Sequence, residues 1–184
     1  MKKRFTRLGV AVALAVFMSA GTVLAQGKVT ISGSGSGALG NPPVGGGGVG
    51  FASCTVDRNI EEITCQTRIY NIVNLRAAHI HLGGPGVNGP VAIGIPDLPL
   101  GTSGAFGQSF TLRGTDLIPR PAQGVRNFHE LAYACAAGNC YLNYHTTGNP
   151  GGEIQIQLCP ASAKANTFNG VAVCFVHPTP QPGQ

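Results

Sequence analysis

Polar and apolar positions alternate along most of the chain with the period of a β-strand. Residues 28–32 (KVTIS) alternate and predict a first strand. Residues 51–56 and 63–73 alternate on either side of the polar turn Asp57-Arg58-Asn59, which predicts a hairpin. Residues 75–82 predict another strand, stopped by Gly83-Gly84-Pro85-Gly86. Short strands follow at 90–95 and 108–112, and a further one at 141–145. Glu153, Gln155 and Gln157 then alternate with Ile154, Ile156 and Leu158, giving one polar and one apolar face. One segment breaks the period. Phe128, Leu131, Ala132 and Cys135 stand at i, i+3, i+4 and i+7, and Asn127 precedes Glu130 by three. That spacing and cap predict a short helix over 128–136, with Gly138 closing it. The stretch 33–50 is rich in Gly and Ser, contains Pro42-Pro43, and reads as loop. Asn169-Gly170 suits a turn into a strand over 171–176, and 178–184 reads as a disordered tail.

These elements make an all-β chain with one short helix. The composition agrees: 28 Gly, no Trp and only 10% charged residues. The N-terminus is set apart. Lys2, Lys3, Arg4 and Arg7 precede an apolar run over 8–24 that ends Val23-Leu24-Ala25, which reads as a secretory signal over 1–25. The formal charge of +5 therefore sits mostly in the leader. The remainder is near neutral and gives no reason to expect nucleic-acid binding. It has no second apolar run long enough to span a bilayer, so no membrane partner is expected either. The expected organisation is a signal over 1–25, a main domain over 28–158, an extension over 159–177 and the tail over 178–184.

All six cysteines lie beyond the leader. An even count in an exported chain reads as three disulfides in an oxidising compartment, periplasmic or secreted. Fifteen pairings are possible. Order along the chain suggests the local ones: Cys54–Cys65, Cys135–Cys140 and Cys159–Cys174. No C-x-x-C spacing is present to favour a zinc-thiolate site.

The candidate chemistry lies in histidines. His79 and His81 alternate along one strand, so both imidazoles share a face at roughly 6.6 Å spacing. His145 ends another strand ahead of a Gly-rich loop. Three imidazoles without a thiolate suit copper, with zinc second. His129 on the helix is a candidate fourth ligand, and His177 a weaker one. A His-x-His pair can equally be half-buried and donate to backbone carbonyls, which would need no metal. No G-x-S-x-G elbow, dinucleotide fingerprint or P-loop is present, and no acid pair stands at catalytic spacing. Glu153 reads as a solvated or loop-bracing carboxylate.

Two stretches carry a resemblance. The segment from Ala77 through His79-Ile80-His81 to Gly83, continued by Asn88-Gly89-Pro90-Val91, resembles the core of the CHRD (chordin-type) domain. Tyr141 to Thr146, followed by Asn149-Pro150-Gly151-Gly152-Glu153-Ile154, resembles its closing motif, with Ile156 where the family usually has Gly. Ile31-Ser32-Gly33 and Asn41-Pro42-Pro43-Val44 resemble its opening. The likeness spans about 28–158. It implies a Greek-key-like antiparallel β-sandwich and an exported binding module, without a settled activity. A weaker likeness is to Cu/Zn superoxide dismutase. His79-Ile80-His81 is similar to that family's copper-ligand strand, and 147–159 to its closing segment. This implies His79 and His81, with His145 by position, as copper ligands. Glu153 stands where that family has a superoxide-steering arginine, and Arg68, Arg76 or Arg126 would have to supply the cation instead.

Three functional readings follow. The first is a binding module that holds copper, or zinc, through His79, His81 and His145. The second is a copper-only, superoxide-dismutase-like oxidoreductase. The third is a structural or adhesive envelope protein without metal. Whether the protein is an enzyme is left open by the sequence.

Overall fold

The computed structural model describes residues 27–160 and the strand segments 163–168 and 171–176. The expected leader over 1–25, the tail over 178–184 and His177 lie outside the described residues. The elements are β1 (Lys28–Ser36), β2 (Val49–Asp57), β3 (Glu62–Ile72), β4 (Leu75–Leu82), β5 (Val91–Gly94) and β6 (Gly104–Arg113). After these come α1 (Phe128–Ala136), β7 (Cys140–Thr146), β8 (Ile154–Pro160), β9 (Ala163–Phe168) and β10 (Val171–Val176). The chain is all-β with one short α-helix among the described residues.

Eight strands form one antiparallel sheet in the order β5-β4-β7-β8-β1-β2-β3-β6. This sheet rolls around its own core. Phe106 on β6 reaches Tyr144 on β7, with ring centroids 6.2 Å apart, although four strands separate them in the sheet. The layers of the sandwich are thus two halves of a single, nearly closed sheet. Clean alternation drives the closure: β2 and β3 bury Cys54, Val56, Ile63, Cys65 and Ile69 on one face and expose the residues between them. The helix closes one end. It buries Phe128, Leu131, Ala132 and Cys135, and the Asn127 side chain accepts from the Glu130 amide at 3.0 Å. Gly138, with φ 78°, takes the left-handed conformation beyond its C-terminus.

Cys54 and Cys65 face each other across the β2–β3 ladder and are bonded. Cys135–Cys140 joins the end of α1 to the start of β7. Cys159–Cys174 ties β8 to β10, which pairs with β9 in a separate two-stranded sheet.

Two expectations change. First, β1 runs to Ser36, so residues 33–36 are strand rather than loop. Their glycines are there for close approach: a Cβ on Gly33 or Gly35 would collide with the Gln157 or Gln155 carbonyl oxygen on β8. Second, the polar face of β8 is not solvated. Glu153, Gln155 and Gln157 are all buried. Loops close over that face, and the Gln157 amide donates to the carbonyls of Gly138 (2.8 Å) and Cys140 (3.0 Å). The same buried polar face carries the histidines.

Candidate metal centre

The β4–β7 ladder builds the cluster. Its register sets His79 opposite Asn143, His81 opposite Tyr141 and His145 opposite Ala77. The three histidines therefore share one face, while Ala78, Ile80 and Leu82 enter the core on the other. One ligand nitrogen from each of His79, His81 and His145 lies within 4.8 Å of the others. Ring centroids are 4.9 Å apart for His79–His145, 5.7 Å for His79–His81 and 5.8 Å for His81–His145.

Loop carbonyls fix which nitrogen of each ring is free. His81 Nδ1 faces the Gly89 carbonyl oxygen at 2.9 Å, and His145 Nδ1 faces that of Pro150 at 2.8 Å. A carbonyl only accepts, so both Nδ1 atoms carry the proton and both Nε2 atoms keep a lone pair. His81 Nε2 is buried and has no hydrogen-bond partner. His79 Nδ1 stands 3.0 Å from His145 Nε2 and must donate to it in the metal-free protein. The carbonyl-bonded rings match the supported-imidazole pattern seen around bound metals.

Burial holds all three groups below the usual imidazole range. His79 is brought down to about 4, by desolvation first and then by the neighbouring imidazoles of His145 and His81. Desolvation also lowers His81, helped by His145 and Arg120 and opposed by the Gly89 bond. It lowers His145 as well, against the Pro150 bond. At neutral pH the cluster is three uncharged imidazoles, the form that binds metal.

The supports come from the two motif loops. Tyr141 stacks on His81 at 5.1 Å, and its hydroxyl accepts from the Gly89 amide at 3.1 Å. Tyr141 thus holds the residue whose carbonyl holds His81. On the other side, Thr146 Oγ1 donates to Glu153 Oε2 at 2.6 Å and accepts from the Asn149 amide at 3.1 Å. Asn143 Nδ2 donates to the Gly151 carbonyl at 3.1 Å. These bonds set the loop that carries Pro150. Glu153 is therefore a loop-bracing carboxylate and not a solvated one. Sequence reasoning missed Tyr141, Gly89 and Pro150. Tyr141 was accessible in principle, since it alternates with His145 along β7.

A pocket of about 340 Å³ opens over His79 and His145, with Arg76 and Pro150 on its wall. Gly94 on β5 lies opposite His79 and leaves that flank without a side chain. His129 stays outside the cluster: it sits exposed on α1 with Nε2 3.7 Å from Glu61 Oε1. Arg126 pairs with Glu130 at 2.7 Å, and Arg68 lies on the β3 face, so Arg76 is the cation of the three beside the histidines.

The fold and site define an all-β module with a three-histidine cluster on one sheet face. The chain belongs to the CHRD domain family, whose model matches residues 29–158. No curated protein and no solved structure gives a significant match. The family supports a binding-module role. The disulfides fit an oxidising, extracytoplasmic setting. Among the described residues no helix is long and apolar enough to cross a membrane.

Proposed function

We propose that this CHRD module is exported and binds one copper ion, with zinc as the weaker alternative, through His79 Nδ1, His81 Nε2 and His145 Nε2. The observation that carries this is the pair of carbonyl bonds that leave Nε2 of His81 and His145 unprotonated, that of His81 buried without a partner and that of His145 met only by His79 Nδ1. A buried polar atom left unpaired costs about 1–3 kcal/mol, so a ligand at that position relieves a standing penalty. The spacing fits. Two nitrogens at ~2.0–2.1 Å from one ion stand roughly 3 Å apart at adjacent positions, and His79 Nδ1 and His145 Nε2 stand at 3.0 Å. The three ligand nitrogens all lie within 4.8 Å of one another, and the wider pairs must close to about 3 Å to share one ion. His79 gives up its Nδ1 proton and takes one on Nε2, which keeps the ring neutral. Neutral nitrogen donors without thiolate favour copper over zinc in the general affinity order.

The test is a metal count. The purified protein is dosed with Cu(II) and Zn(II), desalted and measured by elemental analysis beside a His79→Ala/His81→Ala double variant. One copper per chain, lost in the variant, is expected. Retention of no metal, or equal retention by the variant, overturns the reading.

A second reading, a copper-dependent oxidoreductase acting on superoxide, is favoured by Arg76 at the wall of the histidine pocket. A cation there would draw a small anion to a redox-active ion. Superoxide consumption by the copper-loaded protein, reduced in Arg76→Gln, separates it from simple binding.

A further inference from the structure

A second cavity shares no residue with the histidine cluster. It is a trough of about 720 Å³ on the outer face of β1, β2, β3 and β6. Register lays the side chains of this face in rows across the strands. One row is Ser32, Ser53, Gln66 and Ser109, and the next sets Phe51 against Arg68. Hydroxyls, an amide, one aromatic ring and one guanidinium thus line a single depression. Phe51 is 51% exposed, and Tyr70 stands edge-on to it at 6.3 Å.

The charges are distributed unevenly. The acids of these strands, Asp57 and Glu62, lie at the far end and are paired with Lys28 (3.2 Å) and Arg113 (2.9 Å). No acidic side chain lines the trough, and Arg68 is its one charged group. Arg68 has no ion-pair partner among the described residues. A half-exposed aromatic ring, braced at one side by Tyr70, and a guanidinium opposite it without an ion-pair partner among the described residues form a two-part site, one part apolar and flat, the other anion-selective.

From this placement we infer that the trough binds an acidic oligosaccharide, with uronate carboxylates as the anionic group. A pyranose ring presents an apolar C–H face that stacks on Phe51. Its hydroxyls meet the Ser and Gln side chains, which both donate and accept. Its carboxylate takes the bidentate fork of Arg68. A peptide strand is a poorer occupant, because it would pair along the edge of β6 and not lie over this face, where the backbone groups of β1, β2 and β3 are spent in their ladders. A nucleic acid would need several cations, and the trough has one.

The test is calorimetric titration of the full protein with a galacturonate oligomer, a neutral glucan oligomer of equal length, and sodium sulfate. Saturable binding of the galacturonate oligomer is expected, with the glucan weaker by about tenfold, the factor of one charge-assisted bond. Arg68→Gln should remove that preference and Phe51→Ala should weaken both sugars, while circular dichroism stays that of the native sheet. His79→Ala/His81→Ala should bind like the native protein, because the trough shares no residue with the cluster. Equal affinity for both sugars, an unchanged preference in Arg68→Gln, sulfate competing as strongly as the oligomer, or no binding overturns the inference.

Discussion

Replacing Glu153 by Ala is expected to destabilise the fold by roughly 2–3 kcal/mol and to weaken copper binding in the same protein. Glu153 is 7% exposed, and its Oε2 accepts from Thr146 Oγ1 at 2.6 Å and from Asn149 Nδ2 at 3.4 Å. Two effects oppose each other. Removing the carboxylate loses a charge-assisted bond worth about 1.5–3 kcal/mol and leaves the Thr146 hydroxyl without its buried acceptor. Removing it also recovers the cost of burying a charge. The short Thr146 bond and the loop it closes decide for the loss. Glu153→Gln separates the two, since it keeps the volume and an acceptor while deleting the charge, and it should cost roughly half as much. Urea unfolding at constant slope reads the stability. Chelator competition reads copper affinity, expected to fall at least about tenfold in Glu153→Ala because Pro150 no longer orients His145. A variant as stable as the native protein would mean that the buried charge costs more than its bonds return. A stability loss with unchanged copper affinity would refute the link from loop to ligand.

Two further outcomes follow from the same geometry. Tyr141→Phe keeps the ring on His81 but deletes the acceptor of the Gly89 amide, so it should cost about 1 kcal/mol and lower copper affinity measurably while leaving stoichiometry at one; unchanged affinity would show that Gly89 is held without it. In the metal-free protein, protonation linked to His79 should lower stability as pH drops from about 6.5, the unfolded imidazole value, towards about 4, the value of folded His79, and this contribution changes no further below it. The sign follows because the unfolded chain takes up protons that the folded cluster refuses. The His79 share is roughly 1–2 kcal/mol once solvent screening of a half-exposed ring is allowed for, and urea midpoints of native protein and His79→Gln across that range check it, an identical slope in both being the refuting result.

The sequence made half of the site legible. A strand sends His79 and His81 to one face whatever it pairs with, so that pair follows from alternation alone. His145 follows only from a pairing partner, because the β4–β7 register brings it next to His79 across 66 residues. The helix was legible to the residue, since its four apolar positions and its Asn127 cap are local signals. The continuation of β1 through 33–36 was not: Gly-Ser-Gly-Ser has no hydrophobic period, and the strand is imposed by close contact with β8. The polar face of β8 misled for a related reason. Alternation says which residues share a face but not whether loops cover it, and here they do.

That covering separates the two faces chemically. On β4, β7 and β8 the loops bury the polar row, and the donors of His81, His145 and Gln157 are held there by backbone carbonyls, while His81 Nε2, Asn143 Oδ1 and Gln157 Oε1 are left without a partner. Desolvated imidazoles in such a frame stay neutral and hold one orientation, which is what a metal requires of its ligands. On β1, β2, β3 and β6 nothing covers the polar row, so serines, Gln66 and Arg68 remain adaptable and Phe51 stays open. One sheet, rolled on itself, thus offers a rigid buried site on one half and a broad wet one on the other. The difference lies in where the loops go and not in their length: segments 83–90 after β4 and 147–153 after β7 carry the supports of the cluster, whereas no residue of the longer connections 37–48 and 95–103 lines the trough.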